Sequence, residues 1–347
     1  MAMTIVETTR LVTGGVDTHL DVHVAAALDA NGGVLGVQSF ATTPAGLAQL
    51  HEWLLTFGPV RRVGVEGTGA YGAGLARHLR GHGLEVIEVD RPNRQQRRRA
   101  GKSDTVDAVE AARAALSGRA SGIAKTADGN AEAIRALLVA KRSARDTRIM
   151  CLNQIRHLGF TAPDELRERL RGVPRRRLAH TAAGLRPSGT DPVVYATKLA
   201  LQTLGRRVLD LDVATERLDT QLAVLVRAAA PGLCAVDGIG IDTAAILIVA
   251  AGDNPQRLRS EAAFAHLCGV APIEASSGKT IRHRLNRGGN RQANHALWRI
   301  VFTRMSSDER TRKYVARRLA EGRSKPEIIR SLKRYVAREV YKHLQRG

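Results

Sequence analysis

The chain has 347 residues and a formal net charge of +21, from 54 Lys and Arg against 33 Asp and Glu. This length gives room for about two domains, and the charge favours a polyanion such as nucleic acid as partner. Aromatic residues make up only 3% of the chain, which argues against a binding surface built mainly from rings that stack on bases.

The cysteines and the hydropathy indicate where the protein works. Cys151, Cys234 and Cys268 are far apart and lack the paired spacing of a metal site, so we expect reduced thiols. No apolar run approaches the roughly 20 residues of a membrane span, and the N-terminus has no signal-peptide pattern. We therefore expect a cytoplasmic protein that contacts no membrane and meets nucleic acid in the cytoplasm.

The first third of the sequence predicts an α/β domain. Apolar stretches around a turn at Asn31-Gly32-Gly33 predict three strands between residues 15 and 41. Thr43 followed by Pro44 predicts a helix start. The later elements are a strand over 60–66, a helix over 70–80, a strand over 84–89 and a helix over 104–116. The order β-β-β-α-β-α-β-α is that of an RNase H-like fold.

Four acidic residues in this region are placed as a metal site requires. Asp17 and Glu66 end the first and fourth strands, and Asp104 and Asp107 stand one turn apart on the last helix. Strands deliver side chains to a sheet edge, and an i, i+3 pair shares one helix face. Two Mg²⁺ ions about 3.5–4 Å apart need several carboxylates converging in this way to cut a phosphodiester.

Each acid also has a simpler explanation. Asp17 fits a turn residue, with Asp21 as a nearby competitor, and Glu66 fits a surface acid beside a Gly-rich loop. Asp104 fits a helix cap, and the helix dipole favours Asp107 in the first turn. The four acids together, in this order of elements, favour the metal site.

A basic run precedes the two helix acids. It contains Arg94, Arg97, Arg98, Arg99 and Lys102. Such a run beside an acidic site can hold a phosphate backbone over the metals, and a solvated charge run is the alternative.

The middle third predicts long helices. One apolar stripe runs from Ile134 to Leu158, and a second amphipathic helix is predicted from Val194 to Ala230. A helix of the first kind indicates a coiled-coil arm or an oligomer contact. An apolar stripe of this kind is otherwise part of the core.

The last third contains two further motifs. Gly238-Ile239-Gly240 between two short helices resembles a helix-hairpin-helix, whose backbone N–H groups bind phosphate; an ordinary tight connection is the alternative. Ser276-Ser277-Gly278 lies in a segment that has no acidic residue from 275 to 307. A serine among cations is a candidate nucleophile, although by residue type alone Ser-Ser-Gly is a flexible loop. The basic residues expected to contact nucleic acid here are Lys279, Arg282, Arg284, Arg287 and Arg291.

Together these motifs resemble the transposases of the insertion-sequence 110 family, which include the Piv-like DNA invertases. The resemblance covers nearly the whole chain. The four acids are similar to the Asp-Glu-Asp-Asp motif of the family's RuvC-like domain. The motif of its second domain is similar to Gly269, Pro272, Ser276, Ser277, Gly278 and Gly289-Asn290.

The resemblance implies a DNA transposase, or site-specific recombinase, in which Asp17, Glu66, Asp104 and Asp107 hold Mg²⁺. A serine attacks the phosphodiester and holds the DNA covalently; Ser277, directly before glycine, is the expected nucleophile, and Ser276 is the fallback. The family also implies a structured noncoding guide (bridge) RNA that pairs with donor and target DNA. It further implies a homo-oligomer, a dimer or tetramer, in which acids and serine come from different subunits.

We therefore predict three segments: a RuvC-like catalytic domain over 1–125, a helical coiled-coil region over 126–230 and a mostly α-helical C-terminal transposase domain over 231–347. Two alternative hypotheses stay open. One is a RuvC-type nuclease or junction resolvase that uses water and forms no covalent serine intermediate. The other is an inactive, RNA-binding remnant of such an element.

Overall fold

The computed structural model describes residues 11–89 and 103–344. The predicted basic run of Arg94, Arg97, Arg98, Arg99 and Lys102 lies outside the described residues. Contacts divide the chain into two compact units, the first with residues 1–129 and 252–259 and the second with residues 130–251 and 260–347. The segment 252–259 thus belongs to the first unit, although the sequence analysis placed it in the last segment. The three predicted segments stay a prediction.

The first unit is built around a six-stranded sheet with the order β3-β2-β1-β4-β5-β6. Strand β1 pairs antiparallel with β2 and parallel with β4, and β4 pairs parallel with β5. This mixed sheet is compatible with the predicted RNase H-like fold. The strands are β1 (Val12–Thr18), β2 (Val22–Leu28), β3 (Val34–Ala41), β4 (Val60–Glu66), β5 (Glu85–Val89) and β6 (Gly122–Ile123).

Three α-helices of the first unit are described: α1 (Pro44–Leu55), α2 (Ala73–Gly81) and α3 (Asp104–Leu116). The predicted start of α1 is confirmed, because the Thr43 hydroxyl caps the helix by accepting a hydrogen bond from Gly46 N at 3.1 Å. The predicted helix over 70–80 begins only at Ala73. The preceding residues form a turn instead, in which Ala70 N and Gly72 N both donate to Gly67 O.

The sheet is covered by helices on both faces. Along β1, a Cβ atom placed on Gly14 would contact Leu54 of α1 at 3.2 Å, whereas one placed on Gly15 would collide with Ala112 of α3. Because successive strand residues point to opposite faces, α1 and α3 lie on opposite sides of the sheet. The α1 side holds the larger apolar core, which includes Val16, Leu50, Leu54, Val63, Val65, Leu75 and Leu79.

The second unit is mostly helical and contains one short β-hairpin, β7 (Ile273–Glu274) with β8 (His283–Arg284). Its helices are α4 (Asn130–Thr161), α5 (Asp164–Leu170), α6 (Arg175–Ala183), α7 (Pro192–Ala229), α8 (Ile241–Ala251), α9 (Glu261–Leu267), α10 (Arg291–Ser307), α11 (Glu309–Ala320) and α12 (Lys325–Leu344). Among the described residues, no helix combines the length and the apolarity that a membrane crossing requires.

The two long helices α4 and α7 pack against each other within the chain. Ile134, Ala144 and Ile155 of the predicted stripe are buried, whereas Ile149 is 41% exposed. Ion pairs of Arg148 with Asp212 and of Lys141 with Asp219 join the two helices. Much of the predicted stripe is therefore buried by another helix of the same chain.

Candidate active site

Two glycines allow α3 to lie directly on the sheet. A Cβ atom on Gly15 of β1 would come within 2.2 Å of Ala112 N, and one on Gly64 of β4 within 2.4 Å of Ala111 O. Both separations are shorter than real Cβ contacts, and the obstructing atoms belong to the helix backbone. The helix can therefore occupy this position only because neither strand residue has a side chain.

Asp17 and Glu66 lie on the face that α3 covers. Each stands two residues beyond one of these glycines, and side chains two apart on a strand share a face. The parallel register pairs Val16 with Val65, so the acids that follow them lie at the ends of neighbouring strands. Both are buried, with exposures of 6% and 8%. The Thr18 hydroxyl ties the two strand ends together by donating to Glu66 O at 2.7 Å.

Asp104 and Asp107 occupy the first turn of α3. Asp107 is 8% exposed, whereas about half of the Asp104 side chain is exposed. Burial raises the pKa of Asp17 above its ordinary value of 3.8, and the charges of Asp107 and Asp104 raise it further, against a lowering effect of His19. The two helix acids therefore lie within electrostatic range of the first strand acid. The competitor Asp21 is exposed.

His19 joins this cluster, although the sequence analysis did not single it out. Its Nε2 atom lies 3.1 Å from Asp17 Oδ2 and 3.5 Å from Asp104 Oδ1. Possible ligand atoms of these three residues all lie within 4.8 Å of one another. The sequence signal was the short spacing in Asp17-Thr18-His19, which brings the ring back toward the acid that precedes it.

The residues of the cluster fit a hard divalent cation. Carboxylate oxygens are the ligands that such ions prefer, and a buried carboxylate needs a compensating partner to stay ionised. Burial, and to a smaller extent the charges of Asp107 and Asp104, raise the pKa of Asp17, so its negative charge is costly at this point. A cation held by Asp17 and the first-turn acids of α3 would relieve it.

The predicted serines lie in the second unit, on the hairpin formed by β7 and β8. Ser277 and Thr280 exchange backbone hydrogen bonds of 3.1 and 3.0 Å across a two-residue turn. Gly278 has a φ of +56°, the sign that the first central residue of a type II′ turn requires. The Ser-Ser-Gly motif is therefore the tip of a β-hairpin, and all of its residues are exposed.

The two serines differ in what their hydroxyls contact. Ser276 Oγ accepts a hydrogen bond from Arg282 N at 3.2 Å and lies 3.5 Å from Arg282 O. Ser277 Oγ makes no hydrogen bond with the residues that the structure describes. Its hydroxyl is thus available to a phosphate, whereas that of Ser276 is used to hold the hairpin strands together.

The other residues of the second predicted motif position this hairpin. A Cβ on Gly289 would come within 2.4 Å of Gly269 Cα, so two backbone segments touch at this point. Asn290 N donates to Leu267 O at 2.7 Å, and the Asn290 side chain caps α10 by accepting from Gln292 N and Ala293 N at 3.0 Å. These residues fasten the base of the hairpin to α9 and α10.

A basic groove of about 1150 Å³ lies beside the hairpin base. Of the predicted basic residues, Arg284, Arg287 and Arg291 line it, whereas Lys279 and Arg282 lie nearer the hairpin tip and do not. Further lining residues were not predicted from the sequence: Trp298 of α10, and Arg330, Lys333, Arg334 and Arg338 of α12. The available signal was the spacing of Arg330, Arg334 and Arg338, which repeats every four residues as one helix face does.

The turn around Gly238 precedes α8. Gly238 has a φ of +74°, and Arg304 Nε of α10 donates to Asp237 O at 2.8 Å. These contacts hold the connection rigidly against α10. The helix-hairpin-helix function stays a prediction.

Two family models match different parts of the chain. Residues 14–158 match the DEDD transposase model of the IS110 type, and residues 230–316 match the model described as Transposase IS116/IS110/IS902 family. A protein of Streptomyces coelicolor, named "Insertion element IS110 uncharacterized 43.6 kDa protein", is 34% identical over 120 residues. That match covers 34% of this chain and 29% of the relative.

The sheet order and the acidic cluster are compatible with an RNase H-like domain of the DEDD class, which depends on divalent metal. The chain belongs to the IS110 family of transposases. The resemblance drawn from the sequence motifs is thereby confirmed.

Proposed function

We propose that the protein is a DNA transposase, or site-specific recombinase, that cuts and rejoins DNA with a carboxylate metal site and a serine nucleophile. The observation that carries the proposal is the position of Asp17. It is buried at a strand end within electrostatic range of Asp104 and Asp107, in a chain that belongs to a transposase family. Buried like charges are costly unless a partner such as a metal ion compensates them, and perturbed carboxyl groups cluster at functional sites.

Asp17, Glu66, Asp104 and Asp107 would hold Mg²⁺, and four carboxylates are enough to share two ions. When bound, the ions supply Lewis-acid stabilisation of the charge on the phosphate oxygens. The protein itself holds the four carboxylates in position. The close seat of α3 on the sheet holds the helix acids in place, and His19 orients the Asp17 carboxylate through the 3.1 Å contact.

Ser277 is the proposed nucleophile. Its Oγ attacks phosphorus, an Oγ–P bond forms and the bond from phosphorus to the leaving DNA oxygen breaks. Water carries the serine hydroxyl proton to that oxygen, which leaves as a hydroxyl group. The reverse step, with a hydroxyl of the new strand attacking the phosphoserine, restores the serine and joins the DNA. The exposed hairpin tip and its hydroxyl, which makes no hydrogen bond with the described residues, support Ser277 over Ser276.

The groove beside the hairpin supports a nucleic-acid partner. Guanidinium groups bind phosphate through paired hydrogen bonds, and Arg284, Arg287 and Arg291 all line the groove. We propose donor and target DNA as substrates, with a structured noncoding RNA of the same element as guide. The net charge of +21 supports the binding of RNA in addition to a DNA duplex.

We also propose that the chain works as a dimer or tetramer. Several apolar side chains of α4 and α7 stay exposed, although the two helices pack together. They are Val139, Met150 and Phe160 on α4, with Val213 and Val224 on α7. Light scattering coupled to gel filtration, with and without the RNA, tests the subunit number.

The central experiment looks for the covalent bond. The purified chain is incubated with labelled donor and target DNA, a transcript of the element's flanking sequence and Mg²⁺, and then run on a denaturing gel. We expect a protein–DNA adduct that is absent in Ser277→Ala and in Asp104→Ala. Ser276→Ala is the matched control, since it removes the neighbouring hydroxyl, and it should keep the adduct.

Other results would replace the proposal in defined ways. An adduct that is lost in Ser276→Ala and kept in Ser277→Ala would assign Ser276 as the nucleophile. Cleaved DNA without adduct, unaffected by either serine variant, assigns the protein to the nucleases that use water. Binding of RNA with neither adduct nor cleavage indicates an inactive remnant.

A further inference from the structure

Three histidines cluster on the first unit, away from the acidic residues. His51 lies on α1, and His78 lies on α2, while His82 follows α2 as its C-terminal cap. Ring centroids are 4.5 Å apart for His51 and His82 and also for His78 and His82. Since α1 and α3 cover opposite faces of the sheet, this cluster is separate from the carboxylates of Asp17 and Asp104.

The arrangement has the features of a metal site. One nitrogen from each of the three rings lies within 4.8 Å of the other two. Tetrahedral Zn²⁺ with bonds of about 2.0–2.1 Å places neighbouring ligands roughly 3.4 Å apart, so small side-chain rotations suffice to bring them together. His78 and His82 stand four residues apart, the spacing by which two helical histidines bind one ion.

Two hydrogen-bond observations point to a ligand. His82 Nδ1 lies 2.9 Å from His78 O, and a ring that donates from one nitrogen to a carbonyl keeps the lone pair of the other for a metal. His78 Nε2 is buried and has no hydrogen-bond partner within the part of the chain that the structure describes. An imidazole nitrogen buried without a partner is costly, and it leaves this ring with unused hydrogen-bonding capacity.

The surroundings of His51 and His78 disfavour the charged form of these two rings. Burial lowers the pKa of both His51 and His78, and the neighbouring histidine rings lower it further. Neutral imidazole is the form that binds metals. The surroundings of His51 and His78 thus agree with the geometry of the cluster, which carries the assignment.

We propose that His51, His78 and His82 form a transition-metal site that takes Zn²⁺ and ties α1 to α2. Three imidazoles leave one position open for water. Borderline-soft Zn²⁺ suits nitrogen ligands, whereas Mg²⁺ prefers oxygen. The two sites of the first unit would therefore select different ions. The proposal rests on the histidine geometry and does not depend on the recombinase function.

Zn²⁺ titration calorimetry of the full chain in excess Mg²⁺ tests this site. We expect one Zn²⁺ per chain in the parent protein. His82→Ala removes an exposed ring, so the variant should fold, and we expect it to bind Zn²⁺ more than about 100-fold more weakly, because even partners of metal ligands account for 10–100-fold. His78→Ala should do the same. The matched controls Asp104→Ala and His180→Ala should bind as the parent does.

A second measurement uses Co²⁺, whose visible spectrum reports tetrahedral nitrogen ligation directly. We expect the tetrahedral bands in the parent and in Asp104→Ala, and their loss in His82→Ala. The proposal is overturned if the parent binds no Zn²⁺, or if His82→Ala binds it unchanged. Loss of binding in Asp104→Ala instead would place the zinc at Asp17, His19 and Asp104 and would equally reject the histidine site.

Discussion

Gly15 of β1 lies so close to Ala112 of α3 that a single added methyl group would overlap the helix backbone, with a Cβ–N separation of 2.2 Å. This contact sets the depth at which α3 sits on the sheet. The first turn of the same helix carries Asp104 and Asp107, so the seat of the helix determines where these carboxylates lie relative to Asp17. Packing between two small residues thereby positions the candidate metal ligands.

Gly15→Ala should therefore push α3 away from the sheet. We expect a loss of stability of about 1–3 kcal/mol or more, the usual effect of overpacking a core, together with weaker Mg²⁺ binding. Urea unfolding and Mg²⁺ calorimetry measure the two effects. Gly74→Ala is the control, since the nearest atom to its added Cβ would be 4.0 Å away; it should stabilise α2 by roughly 0.5–1 kcal/mol. Equal behaviour of the two variants would contradict the seating role of Gly15.

Asp17→Asn should stabilise the metal-free protein at neutral pH. The pKa of Asp17 is raised in the folded state, chiefly by burial, so the folded protein holds this proton more tightly than the unfolded chain. Stability then falls as pH rises from 3.8 through the folded-state pKa, and the full loss persists at pH 7. The amide variant carries no such charge.

The Tm of Asp17→Asn should exceed that of the parent at pH 7, and the difference should shrink toward pH 3.8 or when Mg²⁺ is added to the parent. Calorimetric melting over a pH series measures this. Asp21→Asn, at an exposed position, should leave the Tm nearly unchanged. A parent that is more stable than Asp17→Asn at pH 7 without metal would show that Asp17 ionisation is not costly.

Asn290→Ala should destabilise the second unit by about 0.5–2 kcal/mol, since the variant loses the side chain that caps α10. Asn290→Asp keeps an acceptor oxygen and should retain most of the stability. Denaturant unfolding compares the three proteins. If adduct formation with DNA survives in Asn290→Asp, the Gly-Asn motif has a structural role; if it is lost at full stability, Asn290 contacts the substrate.

Arg287→Ala and Arg291→Ala should each weaken DNA binding by a similar factor for every DNA sequence. Each arginine that contacts a phosphate contributes about 1 to the slope of log K against log salt concentration. Binding measured over a series of salt concentrations should show, for each variant, a slope reduced by about 1. Lys313→Ala removes the same charge from the exposed face of α11, where it pairs with Glu309, and its slope should match that of the parent.

The three cysteines should differ in reactivity toward iodoacetamide. Burial raises the pKa of Cys268 to about 12, so almost no thiolate forms at pH 8. Cys151 is buried, and Cys234 is partly exposed. We expect Cys234 to be alkylated first and the other two only on unfolding, as peptide mass spectrometry will report. Early alkylation of Cys268 would indicate that α9 opens readily.

The predicted strand over 60–66 and helix over 104–116 agree with β4 and α3 at both ends. Local signals suffice there, because alternation, caps and apolar spacing act between residues that are neighbours in sequence. The start of α2 was wrong by three residues, since Gly67–Gly72 turns before the helix begins. Glycine residues allow the backbone many conformations, so the Gly-rich sequence does not show at which residue the turn ends and the helix begins.

By itself the sequence predicted the first five strands and the helices of the first unit, and it indicated the family; the four acids and the serine motif stay its proposals for the site. These follow from residue type and spacing. Only the tertiary structure decided that His19 joins Asp17 and Asp104, that α12 completes the basic groove, and that His51 meets His78 and His82. The structure also places residues 252–259 in the first unit, where Asn254 Nδ2 donates a hydrogen bond to Ala124 O at 3.0 Å. Such contacts join residues far apart in the chain, and they depend on how closely helices and strands approach. That approach is set by side-chain volume at single positions such as Gly15 and Gly64.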